Sequence, residues 1–549
     1  MCPTRLLRFV LLAAVLGLAA PVRAQGGPEP VRPGVHIALA ANGLGGAVRL
    51  AHDPSSGTLV GLFWDGRVFR LAPPFRGTPE VVYTAADHGL GASVVGLTVA
   101  ADGTIYLVGN ETTGPLTAAT VVRGRPGPGG TRTWTTVVRT EPYPRSNTAF
   151  DHTFNGIAVS PDGQSLYLAS GSRTDHGERQ ENGGLFPDAR ELPLTSAVFR
   201  VPADATDLVL PNDAAALAPY LFADGFRNAF DLAFDGAGRL FGAENAGDRD
   251  DSDELNWIRA GRHYGFPWRI GLNDTPQQFP GYDPTTDRLL NPAAYAVQGG
   301  FFYDDPTYPP RPPGVAFTDP VLNRGPDANL YRDPVDGSVR DAGDQPVGTF
   351  TAHRSPLGLA FDTARALPAG YTGDGFVLSW TGSESPLLQP FAGEGEDLLH
   401  LALAATADGF EARVETLARG FLNPIDVALV GSRMYVLEYG QGARIWEVAL
   451  DPVTAADDGP ARAGLSVAVA PNPVSGAGRV VVRAGRTGRV TVDVVNVLGQ
   501  RVGRLFDAEL QADEARTLTW NAAGAAPGTY LIRVASGLDV RVRLVVVAR

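Results

Sequence analysis

The chain of 549 residues contains no lysine; all 46 of its basic residues are arginine. Schiff-base chemistry and a phosphate-binding P-loop both need a lysine, so both are excluded. Cysteine is nearly absent too, the only one being Cys2. A product that loses its N-terminus therefore has no thiol catalysis, thiolate metal site or disulfide. Positive charge is short overall, with a formal net charge of −13. Such a chain is a poor partner for polyanions, which argues against nucleic acid and anionic membranes. After the N-terminal segment no run is long and apolar enough to cross a bilayer. Convincing amphipathic helices are few, and Asp213–Phe222 is the best short candidate.

What is present is glycine and proline: 66 and 44 residues, a fifth of the chain. With 44% hydrophobic residues this suits many short strands joined by turns in a globular protein. The length asks for two domains or one large repeat architecture. Residues 1–24 read as a cleaved secretory signal: Arg5 and Arg8, an apolar run from Phe9 to Ala20, then Val22-Arg23-Ala24. An anchor would need to cross about 30 Å of hydrocarbon, and this run is too short. Residues 466–549 hold eleven arginines against six acids, while 25–465 carry about −21, so charge divides the chain into two modules.

The body, 25–450, repeats one pattern of β-rich run, tight turn and second β-rich run. Copies are Thr58–Leu71, Val94–Val108, Asn155–Ser170, Ala229–Glu244, Leu357–Trp380 and Ile425–Val448. Asp-Gly pairs at 65–66, 102–103 and 162–163 supply the positive φ of hairpin turns. Six such units predict an all-β chain whose body is a six-bladed β-propeller. The long insertions, 171–195 and 245–345, are expected to build the site. Residues 451–465 read as a linker, and 466–549 as a small C-terminal β-sandwich of alternating strands.

The tail carries Pro471-Asn472-Pro473, then VVNVLGQRV at 494–502, then Pro527-Gly528-Thr529-Tyr530. This series resembles the type IX secretion sorting domain, type A. The resemblance implies passage across an outer membrane by the type IX machinery, to a secreted or surface-held product, with the tail as an address.

In the body, Gly225–Pro267 gives an ordered string: G-x-R-N, a strand pair, E-N, an acidic loop, D-E-L-N and Y-G-x-P. It resembles the glucose/sorbosone dehydrogenase family, soluble propellers that use pyrroloquinoline quinone (PQQ) and calcium. His152–Gly171 resembles the family's histidine-bearing blade, and His353–Phe361 with Thr381-Gly382-Ser383 a later one. Arg173–Glu178, running into Leu185–Leu194, looks like a subfamily insertion. The resemblance implies an exported quinoprotein that oxidises an aldose or related alcohol and passes electrons to an external acceptor. His152 is then the general base, a task that suits imidazole because its pKa lies near neutrality. Arg227 and Asn228 match the pair beside the quinone carbonyl, where a guanidinium stabilises developing negative charge. The bridging calcium falls to main-chain carbonyls near Ala246 and Gly247, with Asp253 in the same acidic loop. Calcium favours such oxygen ligands. His176, between Asp175 and Glu178, is a second candidate base. Tyr264 and Trp268 offer stacking faces or blade core.

Two departures stand out. The loop 244–254 is longer than the family pattern and lacks its Gly-Pro. The lysine and later-blade arginines that hold the PQQ carboxylates are absent, leaving Arg354 or Arg324 as substitutes. Two other readings remain: a sugar- or ligand-binding propeller that has lost PQQ, and a calcium-dependent hydrolase of lactonase type, which has no motif behind it.

Overall fold

The computed structural model describes residues 27–342, 347–382, 384–391, 394–453, 466–470, 472–484, 488–496, 500–511, 514–536 and 539–548. The signal segment 1–24 and most of the linker 451–465 lie outside the described residues. The chain is all-β and divides into two compact units, Met1–Pro452 and Val453–Arg549.

In the first unit each of the six hairpin runs is an antiparallel pair in its own sheet. The first sheet starts with β1 (Ala47–Asp53) and the second with β2 (Val94–Val99). The third starts with β3 (Phe154–Val159). The fourth is β4 (Ala229–Phe234), β5 (Leu240–Glu244) and β6 (Glu254–Ile258). The fifth starts with β7 (Pro356–Phe361) and β8 (Gly375–Ser379), and the sixth with β9 (Pro424–Val430). The sixth sheet is completed from the other end of the chain: Val35–Ala41 pairs with Ile445–Leu450. The leading strands neighbour one another in the order β1, β2, β3, β4, β7, β9 and back to β1.

Local chemistry accounts for these elements. Gly66, Gly103 and Gly163 hold φ of 87°, 81° and 71° in the three Asp-Gly turns, a conformation costly for residues with a Cβ. β4 and β5 put Phe230, Leu232 and Phe241 inside; fully burying side chains of this kind contributes roughly 1.5–3 kcal/mol each. The expected helix over 213–222 is a single turn, Ala214–Leu217, capped by the Asp213 carboxylate on the Ala216 N–H. Pro219 stops it, because its ring and missing N–H end a helix, and Leu221–Asp224 is already a strand.

The second unit has a three-stranded sheet (Ser466–Ala470, Ala477–Arg483, Ala515–Asn521) and a four-stranded sheet (Gly488–Asn496, Arg501–Leu510, Gly528–Ser536, Asp539–Val547). Val480, Val482 and Trp520 of one share an apolar cluster with Val492, Ile532 and Val545 of the other. The strand Arg501–Leu510 carries four charged residues in RVGRLFDAEL, which interrupt its alternation.

Where the six leading strands meet, the core is ionic. Arg49 of β1, 2% exposed, donates from Nε to the Val95 carbonyl (2.7 Å) and from Nη2 to the Phe230 carbonyl (2.6 Å). Its guanidinium lies 4.0 Å from the Phe230 ring centre and 3.4 Å from Asp231 Oδ1. Asp231 of β4 accepts from the Leu359 N–H of β7 (2.9 Å), and Asp426 of β9 from the Leu50 N–H of β1 (2.8 Å). The three side chains thus join five of the six sheets.

Burial, reinforced by Asp231, pushes the Asp426 carboxyl up to about 8. An unfolded aspartate titrates near 4. The folded state therefore binds the extra proton between these values. The associated stability is complete below about pH 4 and is lost as pH rises through about 8. The thermal midpoint of the chain is expected to carry this downward component between pH 4 and 8. Asp426→Asn should flatten it; an unchanged pH slope in that variant would contradict the assignment.

Candidate functional site

Above this ionic centre lies an open cavity with about 1040 Å³ of empty space. His152, Arg227, Asn228, Ala246, Gly247 and Asp253 all line it. Its floor includes Val95 and Phe230, whose carbonyls hold Arg49.

His152 precedes β3, in a loop fixed by the Asp151 carboxylate, which accepts from the Ser146 and Asn147 N–H groups (2.7 and 2.8 Å). Its Nδ1 lies 3.2 Å from the Ser172 carbonyl oxygen. A carbonyl only accepts, so Nδ1 carries the proton and Nε2 is left as the acceptor. Burial and the nearby Arg227 charge bring its pKa down to about 3, so the imidazole is neutral at pH 7. Gly171 makes room: a Cβ there would stand 2.4 Å from His152 Cβ and 2.7 Å from Asn228 Oδ1.

Arg227 and Asn228 precede β4, and the Arg227 N–H donates to the Glu244 carboxylate at the end of β5. Asp175 grips the guanidinium through its main-chain oxygen (Nε, 3.1 Å) and Oδ1 (Nη2, 2.9 Å). Asp175 is fully enclosed. It also accepts from the Asp248 N–H (3.0 Å) and from His176 Nδ1 (2.9 Å). Burial by itself would raise its pKa; Arg227 and His176 outweigh that and hold it down to about 2. Asn228 belongs to a row of amides: Asn155 Nδ2 to Asn228 Oδ1 (2.7 Å), Asn228 Nδ2 to Asn245 Oδ1 (2.8 Å), Asn245 Nδ2 to Ser355 Oγ (3.0 Å).

The acidic loop 244–254 is not a solvated turn. Asp253 spends one oxygen on the Ala246 N–H (2.7 Å) and the other on the Ser355 N–H (2.8 Å). It braces the loop, and burial pushes it up to about 6. Asp250 accepts from Arg332 (2.9 Å) and from His353 Nε2 (2.8 Å), and Asp251 pairs with Arg249 (2.7 Å). Among the described residues no three His, Cys, Asp or Glu side chains are grouped to hold a metal ion. A cation here would rest on the main-chain oxygens of Ala246 and Gly247.

Other expected residues are elsewhere. Arg354 is 1% exposed and turned away from the cavity, donating to Asp397 and Ser379 Oγ and paired with Glu394. Arg324 pairs with Glu411 on the surface. Arg227 is the one arginine lining the cavity among the described residues. His176 is enclosed and stacked on Phe302 at 4.0 Å. Tyr264 is core, stacked on Phe226, and Trp268 Nε1 donates to the Pro309 carbonyl (2.7 Å); neither lines the cavity.

Asn245, His353 and Trp380 also line the cavity; His353 lies in the HRSPLGLAF motif and Asn245 in the E-N pair, while Asp175, which flanks His176 in the sequence, holds Arg227 instead. His353 lines the cavity with φ of 62°, a strained value outside glycine. Burial would lower its pKa, but Asp250 outweighs it and the pKa is raised.

Removing one partner of a buried ion pair strands the other charge, at a cost of about 3 kcal/mol or more. Asp175→Asn is expected to lower stability to denaturant by that order. The double variant with Arg227→Leu should lose less than the two single losses combined, and strict additivity would show that the pair is not coupled.

Residues 56–298 match the family described as Glucose / Sorbosone dehydrogenase, a span that includes His152, Arg227, Asn228 and the acidic loop but neither Arg354 nor Trp380. Residues 468–548 match the Secretion system C-terminal sorting domain, which marks the chain for export to the cell surface or beyond. No curated protein matches the chain. A solved glucose dehydrogenase is similar at 17% identity and TM-score 0.49, over 76% of this chain and 100% of its own. The soluble aldose sugar dehydrogenase of Escherichia coli, in its apo form, is similar at 16% and 0.47, over 76% and 100%. The PQQ-bound aldose sugar dehydrogenase of Streptomyces coelicolor is similar at 18% and 0.44, over 77% and 100%. On the two family matches, this chain carries a glucose/sorbosone dehydrogenase domain followed by a C-terminal secretion sorting domain.

Proposed function

We propose that the body is an exported quinoprotein oxidoreductase that oxidises an aldose or related alcohol and passes the electrons to an external acceptor. The observation that carries this is the convergence of His152, Arg227, Asn228 and the 246–247 wall on one cavity. The closed order of the six leading strands supports a six-bladed propeller for 25–450. The cluster shared by the two tail sheets supports a β-sandwich for 466–549, served by the type IX machinery after removal of 1–24.

The quinone, when bound, supplies the hydride acceptor that no side chain provides. The residues fit its reactive end. His152 Nε2 is a neutral acceptor for the substrate hydroxyl proton, with the tautomer held by the Ser172 carbonyl. Arg227 and Asn228 would hold a quinone oxygen and stabilise charge on it, and Asp175 keeps the guanidinium in place. Ala246 and Gly247 would offer main-chain oxygens to calcium, with Asp253 bracing their loop. The carboxylate end of PQQ fits less well, since the cavity has one arginine and no lysine. That single observation favours the alternative, a ligand-binding propeller without PQQ.

The full chain with PQQ, Ca²⁺ and a panel of aldoses is expected to reduce a dye. His152→Ala should lower turnover by about 100-fold or more while PQQ binding persists. The acid limb of kcat/KM should lie well below the ordinary histidine range, following the depressed pKa. Absence of turnover together with no PQQ-induced rise in melting temperature would favour the binding module.

A further inference from the structure

On the quinone reading above, on which this inference rests, an anionic, planar cofactor must be held in a cavity with few cations. Arg227 is already engaged by Asp175, Arg354 by Asp397 and Glu394, and Arg324 by Glu411. Two acids, Asp248 and Asp253, line the same wall. Buried carboxylates without cationic partners are costly, so the three on PQQ would have to stay hydrated or share a metal ion.

The cavity lining also includes a tryptophan. Trp380 follows β8 directly, is half-buried and lines the cavity. Its N–H donates to the Ser355 carbonyl (3.1 Å), and its own carbonyl accepts from Asn423 Nδ2 (3.2 Å). Its ring meets Tyr439 at 5.2 Å and 48°, and both pack on the main apolar core. The main chain of Trp380 is therefore held by Ser355 and Asn423, its ring packs on Tyr439, and the residue lines the cavity. Trp380 comes from the fifth sheet and His152 from the third; Arg227, Asn228 and Asn245 lie on the fourth, between them.

We propose that Trp380 is the stacking surface for the planar ring system of the quinone, and that this contact takes the place of a cationic clamp on its carboxylates. Offset stacking of flat ring systems adds affinity beyond the area buried. Stacking is also far less sensitive to ionic strength than ion pairing.

The test is PQQ titration of the full-length chain in the presence of Ca²⁺, followed by quenching of intrinsic fluorescence and by calorimetry. Wild type, Trp380→Phe, Trp380→Leu and Trp380→Ala are compared, each checked for an intact thermal transition. The expected result is about tenfold weaker binding for Leu and Ala and a loss within about threefold for Phe. Between 50 and 500 mM NaCl, wild-type affinity should change by less than about threefold. Leu binding as tightly as Phe would overturn the stacking assignment even if Ala fails to fold. A salt-dependent loss of an order of magnitude or more would restore an ionic clamp. Failure of wild type to bind PQQ would overturn the quinone reading itself, and this inference with it.

Discussion

The first unit depends on a buried charge cluster at the meeting point of its leading strands. Arg49, Asp231 and Asp426 replace what apolar packing alone would supply there, and they do so with direction. Arg49, Asp231 and Asp426 each hydrogen-bond to the main chain of another sheet, so sheets far apart in the chain are held in one mutual arrangement. An apolar plug would fill the same space without fixing register. Replacing buried ionic groups with well-packed apolar residues is often neutral for stability, whereas removing one partner alone is costly. The consequence for the site is direct, since the two carbonyls that bind Arg49 belong to residues forming the floor of the cavity.

The same economy operates in the loops. Insertion 171–195 is packed with buried polar groups and held by its own network. Arg173 caps the Gln180 and Arg190 carbonyls, and Glu191 accepts from the Arg173 and Thr174 N–H groups. It delivers Asp175 to Arg227 and to the acidic loop at once. Carboxylates that look like metal ligands in the primary structure are mostly committed to backbone N–H groups and arginines. The polar groups lining the cavity include the amide row, His152 and His353, Arg227, and the acids Asp248 and Asp253.

Arginine serves as the sole strong cation throughout. Its planar fork binds two or three acceptors in fixed directions, as Arg49 and Arg227 both do, where lysine would offer a point charge. The consequence appears in the cavity, where Arg227 is the one lining arginine among the described residues and Asp175 already holds it.

Periodicity and turn chemistry in the sequence determined the all-β class, the six hairpins and the separate tail, because alternation and Asp-Gly turns act over a few residues. The resemblance to the glucose/sorbosone dehydrogenase family, carried by local motifs, points to His152, Arg227, Asn228 and the 246–247 segment. The strand at 501–510 is not legible from alternation, because its charges interrupt it. Tertiary structure alone decided which side chains face the cavity. Arg354 follows directly on His353, yet His353 lines the site and Arg354 is consumed by Asp397 and Glu394. Trp380, unremarkable in the chain, lines the cavity while Trp268 binds a distant carbonyl. A residue's partner in these cases is set by burial and by charges brought in from remote strands, and no local pattern encodes that.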